Sequence, residues 1–432
     1  MAVSSDHGAA LPTIESLRPP WLVQHLQRRW TVAGLVLGAG LLAAWAVGFA
    51  GHTFESNQHF YRAYLVGFMF CLGLTLGSMA LLMLQFVTGG KWGLVIRRIL
   101  EASSRNLPLN ILMFIPVILG MKYLFPWMGH FPYELSEGAK AAIAWRAPYL
   151  NPSAFLFRAV FCFAGWGVFT WLLNRWSLLQ DVKPASFEEA NDLRIRLMRL
   201  SGGGLVFYAL SLTVVSVDWV MSLDAVWFSH IWGLLYLAGQ ALLALSFSII
   251  VLVILAREEP MRTLLRKTEL HDNGKLLLAF VMLYTYLSFS QFIIQWSGNL
   301  VEEITWYINR THGGWKPVML FLVLFHFVVP FLILLNRGLK KHGPRLAMVA
   351  ASLMLARLVD LYWHIMPNFK DMNALMGGGL NIHTFSWMDI VVPCAMASLW
   401  FAAFFYQLGK RPLLPLYHPQ LPEVLEHSHG AH

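Results

Sequence analysis

The sequence has little charge and little cysteine. Only 13% of its 432 residues are charged, whereas an ordinary soluble domain has about 25%. Because 57% of the residues are hydrophobic, the composition excludes a soluble globular domain and indicates a membrane protein. The three cysteines, Cys71, Cys162 and Cys394, lie far apart inside apolar runs. We interpret them as small core residues and not as a disulfide framework.

Motifs that hold redox groups are also missing. The sequence contains no Cys-x-x-Cys-His for haem c, no cysteine cluster for an iron–sulfur centre and no phosphate-binding loop. Its histidines do not form the paired sets that a bis-histidine haem needs. Most of the basic residues behind the net charge of +9 lie in loops between the apolar stretches, which argues against nucleic-acid binding. We therefore expect no metal site, no covalently bound cofactor and no electron carrier in this chain.

Apolar stretches of about 17–25 residues, long enough to cross a hydrocarbon core of about 30 Å, occur ten times. We number the predicted spans one to ten, with cores near residues 30–50, 62–87, 107–124, 153–173, 204–221, 230–256, 275–297, 317–335, 346–366 and 388–408. The predicted fold class is an all-α polytopic membrane protein. Residues 1–29 form a polar N-terminal arm with a patch that we expect on the membrane surface, and residues 409–432 form a His-rich tail. No cleavable signal peptide is evident.

The distribution of basic residues predicts the orientation of the chain. With residues at the ends of the spans counted as part of the adjoining loops, the two termini and the loops on their side hold 23 of the 32 lysines and arginines, and the opposite loops hold seven. The loop between spans five and six, at the centre of the chain, has no lysine or arginine. We therefore expect both termini in the cytoplasm and this central loop outside.

Polar side chains inside the spans are costly unless they face a bundle interior. Span five has Asp218 on a face with Tyr208, Ser211, Val215 and Ser222, and span nine has Arg357, Asp360 and His364 at spacings of three and four. We assign Asp218, Asp360 and His364 as the catalytic candidates. Further proton-path or quinone-site candidates are Asp224, His230, Tyr284, Gln291, Gln295, Glu302, Glu303 and Arg357. We expect one polar cluster near the outer surface.

Each candidate also has a purely structural interpretation. Arg357 and Asp360 can be a buried ion pair that stabilises helix packing. The serines and glutamines of the spans can be interhelical hydrogen bonds, and His326 in span eight a satisfied core histidine. Asp224 and His230 can cap or solvate the central loop. Glu302 and Glu303 can form the first turn of a surface helix.

Four charged residues precede the apolar core of span three. Arg97, Arg98, Glu101 and Arg105 are predicted to form a cytoplasmic charge cluster, because Arg98–Glu101 and Glu101–Arg105 are spaced three and four residues apart. For Arg97 we expect a solvated, snorkelling side chain.

Five separated motifs carry a family resemblance. They are the stretch 85–101 with Arg105 and Leu107-Pro108, Asp218-Trp219 with Ser222-Leu223 and Trp227-Phe228-Ser229, the stretch 289–303, His326-Phe327 with Pro330-Phe331, and the stretch 360–367. Together they resemble the ActF subunits of alternative complex III, which belong with the NrfD/PsrC-type quinone-interacting membrane subunits. The resemblance covers roughly residues 60–410, so the N-terminal arm and His427, His429 and His432 lie outside it.

The resemblance implies two four-helix bundles, at about residues 60–223 and 229–366, with flanking helices at 30–50 and 388–408. It implies a bacterial inner-membrane complex that oxidises quinol and passes electrons through partner iron–sulfur and haem c subunits to cytochrome c or an oxidase. An ActC-like sister subunit is the better candidate for the quinol site. For ActF-like subunits the resemblance implies a role in proton movement.

Three functions stay open at this point. The chain can be a subunit with its own quinone site or proton path, a structural scaffold of the complex, or an independent transporter. In the first case we expect an unpaired Asp218 to exchange protons, with Asp360 held structurally by Arg357 and His364 able to relay a proton. We also expect a chain that is stable only within its complex. Its partners would dock on Trp306-Tyr307 and Trp315.

Overall fold

The computed structural model of the protein describes residues 17–50, 54–129, 135–182, 184, 186–311, 314–369, 386–415 and 417. These residues contain no strand, and ten of their helices are long and apolar enough to cross a membrane. The first five are α1 (Trp21–Ala50), α2 (Phe54–Thr88), α3 (Arg97–Leu119, with a break at Arg105-Asn106), α4 (Pro152–Leu179) and α5 (Phe187–Trp219). The second five are α6 (Trp232–Leu255), α7 (Lys267–Gly298), α8 (Trp315–Leu335), α9 (Gly343–Ile365) and α10 (Met388–Leu408). The predicted all-α polytopic membrane fold is confirmed.

Several helices begin earlier than predicted. Helix α1 begins at Trp21, so residues 21–29 of the predicted arm are continuous with the first membrane helix. Helix α3 begins at Arg97 and α5 at Phe187. Hydropathy detects only the apolar part of a helix, whereas the backbone hydrogen bonds continue into the polar interface. His427, His429 and His432 of the predicted tail lie outside the described residues.

Helices α2 and α6 occupy the centre. Every residue of the most apolar stretch of α2 is buried, as are 78% of those in α6, whereas in the other spans the buried share is 61% or less. Helix α2 packs against α3 and α5, and α4 packs against α3 and α5. Around α6 the same pattern recurs, because α6 packs against α7 and α9, and α8 packs against α7 and α9. The two halves therefore meet along α2 and α6.

Gly77 permits the close contact between these central helices. A Cβ atom on Gly77 would lie 2.2 Å from the carbonyl oxygen of Gln240 and 2.9 Å from the Cβ of Ala244. Small residues of this kind let membrane helices approach closely, where dispersion contacts hold them together. The backbone of α6 cannot move away without opening the centre of the fold.

Gly77→Leu is therefore expected to prevent accumulation of folded protein, at a cost of about 3 kcal/mol for overpacking against backbone. The measurement is the monodisperse fraction in detergent and its thermal unfolding midpoint. Gly167→Leu on α4 is the matched control, since a Cβ at Gly167 meets nothing within 4 Å. Equal yields of the two variants would contradict the central role of this contact.

The two flanking helices lie side by side, and both pack against α2. The backbone N–H of Leu413 donates to the carbonyl oxygen of Leu17 at 2.9 Å, so the described ends of the chain meet at one face. We call this the terminal face. The opposite end, which holds residues 220–231, is the central-loop face. Placement of the termini in the cytoplasm stays a prediction.

Candidate functional site

A buried polar cluster lies among α7, α8 and α9. We call it the α9 site and define it as Tyr284, His326, Arg357, Asp360 and His364, all of which are buried. Arg357 donates a hydrogen bond to the Asp360 carboxylate. The Tyr284 hydroxyl donates to Asp360 Oδ2 at 2.5 Å and accepts from Arg357 Nη1 at 3.0 Å. The ion pair that the sequence spacing predicts is confirmed, and Tyr284 joins it from another helix.

Two histidines of the α9 site have ring nitrogens without a hydrogen-bond partner. His364 Nδ1 lies 3.9 Å from Asp360 Oδ2, and no hydrogen bond is formed there. The His326 ring packs on the Tyr284 ring with centroids 4.6 Å apart, and its Nε2 has no partner. The expectation that His326 is a satisfied core histidine is therefore wrong. It lies in a π-helical turn, Val323–Val328, of a kind that is frequent at functional sites.

The space for the Arg357 guanidinium depends on a glycine. A Cβ atom on Gly239 of α6 would lie 2.5 Å from Arg357 Cζ, so the guanidinium packs directly on the α6 backbone. The rings of Tyr236 and Tyr284 lie 5.5 and 5.2 Å from it, within cation–π range. Arg357 is thus enclosed on several sides.

Asp218 forms a separate ion pair in the first half of the molecule. Its Oδ2 accepts from Arg158 Nε at 2.6 Å, and Arg158 also donates to the Tyr149 carbonyl at 2.9 Å. The prediction of an unpaired Asp218 is wrong, because α4 supplies a cation that lies 60 residues away in sequence. Among the described residues no hydrogen bond or ion pair joins Asp218 to the α9 site, so the expected single cluster is two sites.

The central loop is tied to its neighbours by the polar residues that the sequence singles out. Asp224 Oδ1 accepts from the backbone N–H groups of Val226 and Trp227 at 3.0 and 3.1 Å. Ser229 donates to Gln291 Oε1 at 3.1 Å, and the Trp227 indole donates to Gln295 Oε1 at 3.2 Å. Asp224 therefore caps the loop as its structural interpretation predicts, whereas Gln291 and Gln295 bind the central loop and not another helix.

Glu302 and Glu303 lie in the first turn of the helix Val301–Thr311, as their structural interpretation predicts. The expected docking aromatics are not on the surface: Trp306, Tyr307 and Trp315 are all buried. Trp306 stacks on Trp227 with ring centroids 4.6 Å apart. These aromatics therefore pack inside the molecule and do not form an exposed surface for docking.

Arg310, in the last turn of that helix, caps the end of α9. It donates to the carbonyl oxygens of Trp363 and His364 at 3.1 and 2.8 Å and to Asn368 Oδ1 at 2.8 Å. Its guanidinium lies 3.6 Å from the Trp306 ring centroid. Burial lowers the pKa of Arg310 to about 9. A cation at the carboxyl end of a helix satisfies free carbonyls and complements the helix dipole.

Arg146, the last residue of the helix Glu137–Arg146, contacts the central loop and adjoins a cavity. It donates to the carbonyl oxygens of Ala225 and Val226 at 2.9 and 2.8 Å, and burial lowers its pKa. The cavity has a volume of about 550 Å³ and a mostly apolar wall. Its lining residues are Trp145, Arg146, Pro148, Tyr149, Leu150, Val217, Met221, Ser222, Phe228 and His230. The Ser222 hydroxyl donates to the Asp218 carbonyl at 2.5 Å, which places the cavity next to the Asp218–Arg158 pair.

The charge cluster at the start of α3 is buried, and we call it the terminal-face charge cluster. Its members are Arg97, Arg98, Glu101, Arg105, Asp181 and Arg411. Arg97 is 0% exposed and donates to Glu101 at 3.1 Å, so the expected solvated side chain is wrong. Arg98 pairs with Glu101 at 2.7 Å and also with Asp181. The spacing of four residues predicts that Arg105 pairs with Glu101. Arg105 instead donates to the backbone carbonyl of Gln407 at 2.6 Å.

Arg411, which the sequence analysis missed, reaches Glu101 from the segment after α10, with a distance of 3.2 Å from Nη1 to Oε2. Ser177 donates to the same carboxylate from α4. No short-range spacing signals either contact.

Among the described residues no three histidine, cysteine, aspartate or glutamate side chains are placed to hold a metal ion.

No family model and no curated protein matches this sequence. The geometry of the two ion-pair sites, the cavity and the terminal-face charge cluster therefore carries the functional argument.

Proposed function

We propose that this multi-pass membrane protein is a subunit of a quinol oxidoreductase complex, similar to the ActF subunits of alternative complex III, and that its α9 site moves protons. One observation carries the proposal. Two buried imidazoles with unpartnered nitrogens flank a carboxylate that is hydrogen-bonded to a tyrosine hydroxyl. Buried polar groups of this kind inside a membrane protein are costly and mark proton relays and substrate pathways.

The imidazoles are better exchange groups than the carboxylates. Asp218 and Asp360 each form an ion pair with an arginine, so a proton taken up by either carboxylate would break that pair. An imidazole can accept a proton on one nitrogen and release one from the other, so it passes a proton without a lasting change of charge. His364 lies at the carboxyl end of α9, and Arg310 ties that end to the helix Val301–Thr311. A proton released by quinol oxidation would leave toward the central-loop face along this route.

The test is made in the intact complex that the chain purifies with. His364→Gln is expected to lower quinol-dependent turnover and proton release on the order of 100-fold, because one proton-transfer group contributes that much or more. His326→Gln is expected to act in the same direction. The control is His342→Gln, an exposed histidine at the terminal face. Normal proton release from an assembled His364→Gln complex would leave the chain as a structural scaffold.

A second candidate function is a quinol site in the cavity beside Asp218. The cavity offers an apolar wall for an isoprenoid tail, and His230 and Ser222 for hydrogen bonds to the ring oxygens. His230→Phe keeps the ring and removes those hydrogen bonds. If a quinol binds here, this variant weakens binding of quinol analogues and leaves assembly intact. Unchanged binding would place the quinol site elsewhere, such as in an ActC-like partner.

The partners in this proposal are an ActC-like membrane subunit and the iron–sulfur and haem c subunits of the complex. These partners would carry the electrons, and membrane lipid would surround the exposed faces of the helices. A transporter acting alone is the remaining alternative. It would move its substrate after reconstitution without partners, whereas a subunit would not.

A further inference from the structure

The terminal-face charge cluster carries more positive than negative charge. Four guanidinium groups, of Arg97, Arg98, Arg105 and Arg411, lie with only two carboxylates, of Glu101 and Asp181. Glu101 already accepts hydrogen bonds from three of the arginines and from Ser177, which fill the roughly four acceptor positions of a carboxylate. Two positive charges remain without a carboxylate in the cluster.

Several guanidinium nitrogens of the cluster also have no hydrogen-bond partner. These are Arg97 Nη1, Arg98 Nε and Arg105 Nε. Arg97 and Arg98 are 0% and 2% exposed, so water does not reach these side chains freely. A buried cation without a counter-charge is costly. Burial and the neighbouring Arg98 lower the pKa of Arg411, against the opposing effect of Glu101, which is consistent with a surplus of positive charge.

The cluster lies at the ends of membrane-crossing helices, where lipid headgroups are expected. It joins the first turn of α3, the last turn of α4 and the segment after α10, all at the terminal face. At this end of the spans a membrane presents its headgroups. Arg105 and Arg411 are only partly buried, so they form the accessible edge of the cluster.

We propose that Arg105 and Arg411 bind the phosphate group of an acidic membrane lipid. A phosphate oxygen accepts charge-assisted hydrogen bonds from guanidinium groups, often two at a time, and would neutralise the surplus charge. Basic pockets between membrane helices bind acidic headgroups in this way. The lipid would fasten the chain ends and the start of α3 to one another.

The experiment measures lipid binding by the full-length protein as it purifies from membranes, after delipidation. Phosphatidylglycerol, phosphatidylcholine and inorganic phosphate are titrated separately, with binding and the thermal unfolding midpoint as readouts. Wild type is expected to bind phosphatidylglycerol more tightly than phosphatidylcholine. Arg411→Gln is expected to weaken phosphatidylglycerol binding about tenfold, the loss of one charged hydrogen bond. The phosphatidylglycerol affinity of Arg411→Lys should lie between those of wild type and Arg411→Gln.

Arg411→Gln leaves Glu101 paired with Arg97 and Arg98, so the variant should fold, which its unfolding midpoint without lipid checks. The matched control is Arg175→Gln, an exposed arginine near the same end of α4. Equal affinity of wild type and Arg411→Gln, or equal affinity for both lipids, would overturn the proposal. Inorganic phosphate that binds as tightly as the lipid, and through Arg411, would assign the site to free phosphate and reject the lipid.

Discussion

Asp360→Asn is expected to destabilise the second half of the molecule by about 3–5 kcal/mol, because it leaves Arg357 as an uncompensated buried charge. Arg357 is fully enclosed between Gly239, Tyr236 and Tyr284, so it cannot turn toward water. We expect most of the variant to be lost before assembly. The measurement is the amount of folded chain extracted from membranes and its unfolding midpoint.

A second variant separates charge from shape in the same site. Arg357→Met combined with Asp360→Asn removes both charges, so its stability should recover most of the loss. His326 and His364 are intact in this double variant, so proton release should recover together with stability if the imidazoles carry the proton. The control is Asp272→Asn, whose exposed pair with Lys275 is worth at most about 1 kcal/mol. A stable, fully assembled Asp360→Asn single variant would show that Arg357 has another counter-charge.

Glu101→Gln is expected to have a comparable or larger effect at the terminal face. Glu101 is the carboxylate that Arg97, Arg98 and Arg411 share, so the substitution leaves four guanidinium groups with Asp181 alone. We expect a loss of at least about 3–5 kcal/mol, since buried like charges then repel one another. The measurement is again folded yield and unfolding midpoint.

The matched control for this variant is Glu137→Gln, which removes an exposed pair with Lys140. That pair should contribute less than about 1 kcal/mol. If Glu101→Gln and Glu137→Gln gave the same yield and midpoint, the terminal-face charge cluster would not stabilise the fold. The lipid proposal would then also lose its basis, because the cluster would tolerate excess charge without a counter-ion.

Contacts within one helix were accessible to sequence reasoning. Arg357 and Asp360 are three residues apart on α9, so a helix brings them together whatever surrounds them. The same reasoning failed for Arg105, whose spacing from Glu101 is also favourable. The carbonyl of Gln407, about 300 residues away in sequence, takes its hydrogen bond instead. A helical spacing permits a contact, and the neighbouring helices decide whether it forms.

Contacts between helices were not accessible. Arg158 and Asp218 lie on adjacent helices, and their pairing depends on the rotation of α4 and α5 about their axes. In lipid an apolar face gives little guidance about this rotation, because the membrane is as apolar as the core. The buried positions of Trp306 and Trp315 were missed for a related reason, since aromatics near a span end suit both an interface and a core.

The sequence by itself determined that the chain crosses a membrane as ten helices, because span length and low charge are set by the thickness of the hydrocarbon core. It also determined which faces of α5 and α9 are polar, because a helix repeats every 3.6 residues. Only the tertiary structure decided that Asp218 is paired, that two histidines keep unpartnered nitrogens and that Arg411 completes the terminal-face charge cluster. These features depend on close packing between segments that are distant in sequence, at glycines such as Gly77 and Gly239. A change of about one ångström in the separation of two helices there decides which side chains meet.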